Sequence, residues 1–246
     1  MSRSLQRVQL ARTYVLHQRP FRDTSLIVEA FAREHGRLTL FAHGARGPRS
    51  RFTALQPFRP LLLSWSGRGE APTLAAAESA DATPALAATQ LLSGFYLNEL
   101  LLKLLTRGDP HPELFDLYEG TLGELRGAAS AEPALRVFEA RLLSLIGYGL
   151  NLAAEADTGK AVRAEAYYHF RPGVHGFVVA EPAAPGSIAG QVLQELARGE
   201  LRGEPQLRAA RALMRAALDH CLEGRELATR NMARSLASYP RKQRSG

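Results

Sequence analysis

The chain has little cysteine and no long apolar run, and each of these absences excludes a class of protein or site. Its single cysteine, Cys221, excludes an internal disulfide and a cysteine-rich zinc site among the 246 residues. No stretch approaches the roughly 18 consecutive apolar residues of a membrane span. The N-terminal residues also lack the apolar segment of a secretory signal. We therefore expect a protein of a reducing compartment, such as a bacterial cytoplasm, with no membrane attachment.

Catalytic motifs are missing as well. The segment "SGRGEAP" at 66–72 lacks the lysine of a phosphate-binding loop, and Ser93 falls within a predicted helix rather than at a strand-to-helix turn. The seven histidines are scattered and match no familiar set of metal ligands. The sequence predicts neither an enzyme nor a metal site, and no cofactor.

Acidic residues are absent from one long window, between Glu34 and Glu70. Residues 1–80 contain twelve arginines and five acids, whereas residues 81–246 contain nineteen basic and nineteen acidic residues. Codon bias accounts for 28 arginines against 3 lysines, but not for an arginine excess confined to the first third. This segregation favours a polyanionic partner, above all a nucleic acid.

The centre of that window is "FAHGARGPRSRF", residues 41–52, and within it we call residues 43–52 the basic loop. Glycine and proline interrupt any regular element, and Arg46, Arg49 and Arg51 have no acidic neighbour in sequence. We predict a flexible loop between two strands that orders on DNA, with these three arginines on phosphates. Arg37 and Arg59 are predicted to extend the same track.

The hydrophobic pattern predicts an α+β fold in two domains. Residues 1–80 alternate with period two in five short segments, which is typical of a five-stranded OB-fold barrel. Residues 81–246 are mainly helical, with a first helix predicted from an N-cap at Thr83. Within them, 150–183 form an irregular segment with a hairpin in "YYHFRPGVHGFVV", and 237–246 form a disordered tail.

Two sets of side chains in these domains remain open to alternatives. The first set is the aromatic side chains of the predicted barrel, which either stack on bases or fill the core. They are Phe41, Phe52, Phe58 and Trp65. In the first helix, Asn98 and Glu99 lie off the apolar stripe, so we expect them to cap a helix or to bond with the barrel.

Several strings taken together resemble the RecO family of recombination mediators. They are "VLHQRPFRDTSLIVEAF", "GRLTLFAHGARGPRSRF", "LQPFRPLLL", "GFYLNELLLKLL" and "EPALRVFEARLLSLIGYGLNL". The resemblance runs in order over nearly the whole chain. Many family members carry a four-cysteine zinc motif after "GYG", and 150–183 contain no cysteine. The chain is therefore expected to be a zinc-free member.

This resemblance implies an N-terminal OB fold, a helical C-terminal domain and a nucleoid-associated role in the bacterial cytoplasm. It implies binding and annealing of single- and double-stranded DNA, partnership with RecR and the single-stranded-DNA-binding protein, and indirect help to RecA loading. The alternative is an OB-fold interaction module that binds an acidic protein surface, with incidental affinity for nucleic acid.

A partner site is predicted on the helix "EPALRVFEARLLSLIGYG". By resemblance, Arg136 would hold the terminal carboxylate of the acidic tail of the single-stranded-DNA-binding protein. Leu135, Phe138 and Leu142 would supply the apolar side of the pocket. The alternative is that Arg136 pairs with Glu132 or Glu139 on its own helix.

Overall fold

The computed structural model of the chain describes residues 6–174, 176–182 and 184–238. These residues form two compact units, one from residues up to 110 and from 226 onward, the other from 111 to 225. The strands are β1 Gln6–Phe21, β2 Ser25–Ala32, β3 Gly36–Ala42, β4 Leu61–Gly67, β5 Thr73–Ser79, β6 Tyr167–Arg171, β7 Gly176–Ala180 and β8 Ile188–Ala189. The helices are α1 Leu91–Leu104, α2 Pro112–Gly127, α3 Glu132–Leu145, α4 Gly190–Arg198, α5 Glu204–Leu222 and α6 Ala228–Ser238. The predicted α+β fold class is confirmed.

The first five strands close into a barrel in the order β1-β2-β3-β5-β4, as expected of an OB-like fold. The long strand β1 pairs with β2 along one part and with β4 along another, which closes the cylinder. Val28 of β2 faces Leu40 of β3, and both are fully buried inside. Because side chains alternate along a strand, Ile27 and Phe41 lie on the outer face.

Helix α1 packs against β1 of the barrel. It begins at Leu91 after a short 3-10 turn at Ala88–Gln90, so the predicted N-cap at Thr83 is wrong. The main-chain N–H of Thr83 instead donates to the carboxylate of Asp81 at 2.8 Å. That local turn occupies the predicted capping residue, and the chain reaches helical conformation only several residues later.

The last described helix, α6, belongs with the barrel and α1. This compact unit is therefore larger than the barrel alone. Ala237 and Ser238, predicted to begin a disordered tail, are the last residues of α6. The rest of the predicted tail, 239–246, lies outside the described residues.

The second unit is a helical core with a small sheet. Pro112 and Pro133 stand in the first turns of α2 and α3, where a missing N–H costs no hydrogen bond. The sheet has the order β7-β6-β8, which confirms the predicted hairpin within 150–183. In the described part of the chain, no helix is both long enough and apolar enough to cross a membrane.

Candidate nucleic-acid interface

The basic loop joins β3 to the segment that precedes β4, as predicted. Its start is fixed, because the N–H of Arg46 donates to the carbonyl of Thr24 in the β1–β2 turn at 2.7 Å. Two further hydrogen bonds, Gly47 to Gly44 and Ser50 to Gly47, make consecutive tight turns. The loop is therefore held beside the β1–β2 turn at one end of the barrel.

The arginines of the basic loop face solvent. Arg46, Arg49 and Arg51 are all exposed, and none forms an ion pair with a described residue. The guanidinium carbon of Arg51 lies 5.1 Å from the ring centroid of Phe52, which is itself buried. Phe52 thus anchors the C-terminal end of the loop in the barrel while Arg51 stays outside.

A partly exposed aromatic cluster lies at the start of the basic loop. The rings of Phe21 and Phe41 have centroids 5.4 Å apart, and His43 lies 6.3 Å beyond Phe41 in a nearly parallel plane. Strand pairing places Ile27 between Arg19 and Phe41 on this outer face. We call Phe21, Phe41 and His43 the aromatic platform.

Two more loops bring arginines to the platform. Arg22, in the β1–β2 turn, lies over Phe21 with its guanidinium carbon 5.2 Å from the ring centroid. The N–H of Phe41 donates to the carbonyl of Pro72 at 2.9 Å, which places the β4–β5 loop alongside and with it exposed Arg68. OB folds bind oligonucleotides on the face of strands 2 and 3 and through these same two loops.

Arg37 was predicted to join the DNA track, but its side chain is only 13% exposed. Its guanidinium donates to the main-chain carbonyls of Leu102 and Leu105 at the end of α1. Burial lowers the pKa of Arg37, with Glu29 opposing the shift and Arg107 adding to it. Arg37 therefore acts as a helix C-cap, with little of its charge open to a phosphate.

Arg59 is also set back from the surface, since its side chain is half-buried. Its Nε is buried and has no hydrogen-bond partner among the described residues.

Three of the four aromatic candidates of the barrel are buried as well. Phe52, Phe58 and Trp65 are each at most 5% exposed and fill the core. Of the four aromatic candidates, only Phe41 is available to a ligand.

The residues predicted to hold a partner's tail lie largely inside the second unit. Phe138 and Leu142 are fully buried, Leu135 is half-buried, and the Arg136 side chain is 9% exposed. Arg136 donates to Glu139 at 2.6 Å, one of the two pairings left open by the sequence. Glu132, the other candidate, bonds Arg211 of α5 instead. The structure thus brings these residues together, but as core rather than as an open pocket.

Two family descriptions match the chain, one over the barrel and one over the helical part. Residues 8–83 match the family description "Recombination protein O N terminal", and residues 87–230 match "Recombination protein O C terminal". The chain belongs to the RecO family. A protein named "DNA repair protein RecO" from Alkalilimnicola ehrlichii is 48% identical, covering 96% of this chain and 94% of its own length. Proteins of the same name from Methylococcus capsulatus and Azoarcus sp. are 44% and 41% identical, each over at least 93% of both chains.

The segment after α3, which we predict to be zinc-free, holds a hydrogen-bonded carboxylate. Glu155 is 5% exposed and accepts from Thr158 at 2.5 Å and from the hydroxyl of Tyr168 at 3.4 Å. In the described residues, no group of three or more histidine, cysteine or acidic side chains is placed to hold a metal ion. Glu155 thus ties the loop after α3 to β6.

Sequence reasoning missed Phe21, Arg22 and Arg68 as candidate interface residues of this RecO chain. A signal for two of them was present, because "PFRDT" places an aromatic and an arginine in the short connection between two alternating segments. Arg68 lies in the β4–β5 loop, and that loop is brought to Phe41 by the pairing of β3 with β5, two strands far apart in sequence.

Proposed function

We propose that this chain is a DNA-binding recombination mediator that contacts phosphates through the basic loop. The observation that carries the proposal is the exposed trio Arg46, Arg49 and Arg51 on an acid-free loop fixed beside the oligonucleotide-binding face of an OB-like barrel. Membership of a family whose members are named as DNA repair proteins supports it.

The charge arrangement gives a physical reason for an anionic ligand. Three guanidinium groups within six residues repel one another, and a polyanion that passes the loop relieves that repulsion. Each phosphate neutralised releases counterions, so affinity falls with salt. Loss of three contacts should reduce the slope of log affinity against log salt by about two for a single strand.

A salt titration of DNA binding tests this proposal. The variant Arg46→Ala/Arg49→Ala/Arg51→Ala should bind single strands more weakly at every salt concentration and with a shallower slope. The matched control is Arg202→Ala/Arg208→Ala/Arg215→Ala, which removes the same charge from exposed positions of the second unit. If both triple variants lower the slope equally, net charge rather than the basic loop governs binding, and the proposed contact surface is wrong.

As a mediator, the chain is proposed to anneal complementary strands and to bind duplex as well as single-stranded DNA. We further propose that it acts with RecR and the single-stranded-DNA-binding protein to help RecA loading, without catalysing a reaction itself. The support is family membership, and the test is annealing of complementary strands coated with the cognate single-stranded-DNA-binding protein. Annealing by the unaltered chain that fails with the basic-loop variant would support the proposal.

The same assay separates this function from that of an interaction module for an acidic protein. Such a module would bind its partner but leave coated strands unannealed, and its affinity for bare DNA would show no multi-unit salt slope. For the tail of the single-stranded-DNA-binding protein we propose binding to this chain but not at Arg136. That guanidinium already bonds Glu139 and is nearly buried.

A further inference from the structure

The aromatic platform lies outside the barrel core, so filling the core does not explain it. Phe21 and Phe41 both lie on the outer face and are partly exposed, whereas Phe52 and Trp65 are buried in the barrel core. The planes of Phe21 and Phe41 are tilted by 48°, so the two rings do not stack on each other. An outward aromatic pair beside a basic loop suits a ligand with flat apolar surfaces and negative charge.

We infer that Phe21, Phe41 and His43 stack against unpaired bases, so that this end of the barrel prefers single strands to duplex. The inference rests on the proposed function, because it assumes that DNA phosphates occupy the neighbouring arginines. Base stacking on aromatic side chains tolerates any sequence, since every base has a π-face. In a duplex the same faces are already covered by neighbouring base pairs, and only phosphates remain available.

The surrounding charges fit a single strand that crosses the platform. Arg22 and Arg46 come from two loops joined by the hydrogen bond to Thr24, and Arg68 comes from the loop bonded to Phe41. Each of the two shorter loops also carries one exposed acid, Asp23 in the first and Glu70 in the second. Arg19, exposed on the same outer face beside Ile27, adds one positive charge. The net positive charge beside the platform therefore comes from the basic loop and Arg19, and the strand should run along the side of the basic loop.

The opposite end of the same outer face is closed, which limits the site. Glu29 accepts hydrogen bonds from Thr39 at 2.9 Å and from Arg107 at 2.8 Å, and it lies 3.8 Å from Arg37. A carboxylate and the end of α1 thus occupy the face beyond Ile27. The platform is the open part, with room for a short run of bases rather than for a long track.

Leucine substitution separates stacking from packing. Phe21→Leu/Phe41→Leu keeps apolar bulk but removes both π-faces, whereas Phe41→Tyr retains a ring. We expect the double leucine variant to lose about tenfold or more in affinity for oligo-dT, roughly 1.4 kcal/mol. Its affinity for a hairpin duplex with the same number of phosphates should change by less than about twofold, and its salt slope should stay unchanged.

The matched control is Phe95→Leu on α1, because Phe95 is 45% exposed but does not belong to the platform. It should leave both affinities unchanged, as should Phe41→Tyr. Thermal unfolding of each variant checks that the barrel remains folded. Equal loss of single-strand and duplex affinity in the double leucine variant would overturn the stacking inference.

Tryptophan fluorescence tests stacking independently, because it does not rely on a loss of affinity. The chain's single tryptophan, Trp65, is 2% exposed and should respond little to ligand. In Phe41→Trp, oligo-dT should quench the new fluorescence, and the hairpin duplex should not. If DNA binds with a normal salt slope but does not quench the fluorescence, the stacking inference is wrong and the proposed function stands. An absence of salt-dependent DNA binding refutes the proposed function itself.

Discussion

The side-chain amide of Asn98 donates a 2.8 Å hydrogen bond to the main-chain carbonyl of Leu16, and so joins α1 to the barrel. Both residues are at most 3% exposed. The bond satisfies a carbonyl of β1 that water cannot reach. It also explains why a polar residue interrupts the apolar sequence of α1.

Replacement of Asn98 should therefore destabilise the first unit. Asn98→Ala leaves the Leu16 carbonyl buried without this donor, which should cost about 1–3 kcal/mol of unfolding free energy. Urea denaturation measures it. Asn231→Ala, on exposed α6, is the control and should cost less than about 1 kcal/mol. Equal costs for the two variants would mean that the buried bond contributes nothing specific.

Alanine substitution at two glycines, Gly36 and Gly44, tests how closely the chain after α1 approaches β3. Gly36 and Gly44 have nearly the same backbone, with φ of 66° and 72°. A Cβ at Gly36 would overlap the main-chain carbonyl of Asp109, whereas a Cβ at Gly44 would meet nothing within 4 Å. Gly44→Ala should cost only the left-handed strain, about 1–2 kcal/mol.

Gly36→Ala carries the same strain and also the collision, so its melting temperature should fall well below that of Gly44→Ala. The two variants are compared by thermal unfolding under identical conditions. Equal melting temperatures would show that the segment at Asp109 moves aside without cost.

The barrel and the basic loop could be predicted from sequence because their signals are local. Alternation with period two gives the strands, and glycine, proline and unpaired arginines mark the loop. For the off-stripe residues Asn98 and Glu99 the sequence left two roles open, a helix cap or a bond with the barrel. Asn98 bonds the barrel. Glu99, predicted in the same way, caps a helix.

The role of Arg37 could not be predicted, because its acceptors, Leu102 and Leu105, lie some 65 residues further along the chain. Arg136 shows the same limit in the second unit. Helical periodicity places it one position from Leu135, at the margin of the apolar stripe. However, α3 packs against α2, α4 and α5, and these neighbours bury a wider part of its surface than one stripe.

Glu99 makes the attachment of α6 depend on pH. Its carboxylate accepts from the N–H groups of Ala228 and Thr229 at 2.8 and 2.9 Å and from the Thr229 hydroxyl at 2.6 Å. Burial alone would raise the pKa of Glu99, but these hydrogen bonds and Lys103 outweigh it, and the pKa is lowered. The stabilisation is therefore full above the unfolded pKa of about 4.3 and is lost as pH falls through the lower folded value.

Hydrogen exchange of the α6 amides measures this effect. Protection should be constant from neutral pH down to about pH 5 and should fall in more acidic solution. Glu99→Gln should reduce protection at neutral pH and flatten its pH dependence. Glu113→Gln, at the start of α2, controls for a general loss of one carboxylate. A pH profile in Glu99→Gln that matches the unaltered chain would rule out this cap as the titrating group.

The buried pair of Arg136 and Glu139 makes the last prediction, which concerns both stability and partner binding. Arg136→Met should cost about 3–5 kcal/mol, because it leaves the Glu139 carboxylate buried without the guanidinium. Arg136→Met/Glu139→Leu should recover most of that loss, since an apolar pair of similar volume avoids the desolvation of two charges. Urea denaturation measures both variants. Arg211→Met breaks the more exposed pair with Glu132 and should cost only about 1 kcal/mol or less.

The double variant then decides whether Arg136 receives a partner's tail, because it stays folded while lacking the guanidinium. The probe is an acidic peptide that ends in phenylalanine with a free carboxylate, titrated into the unaltered chain and into the double variant. We expect equal affinities, since a peptide carboxylate would have to displace Glu139 from a 2.6 Å bond inside the core. A tenfold or greater loss, about 1.4 kcal/mol, would instead place the tail on Arg136 and require α3 to open on binding.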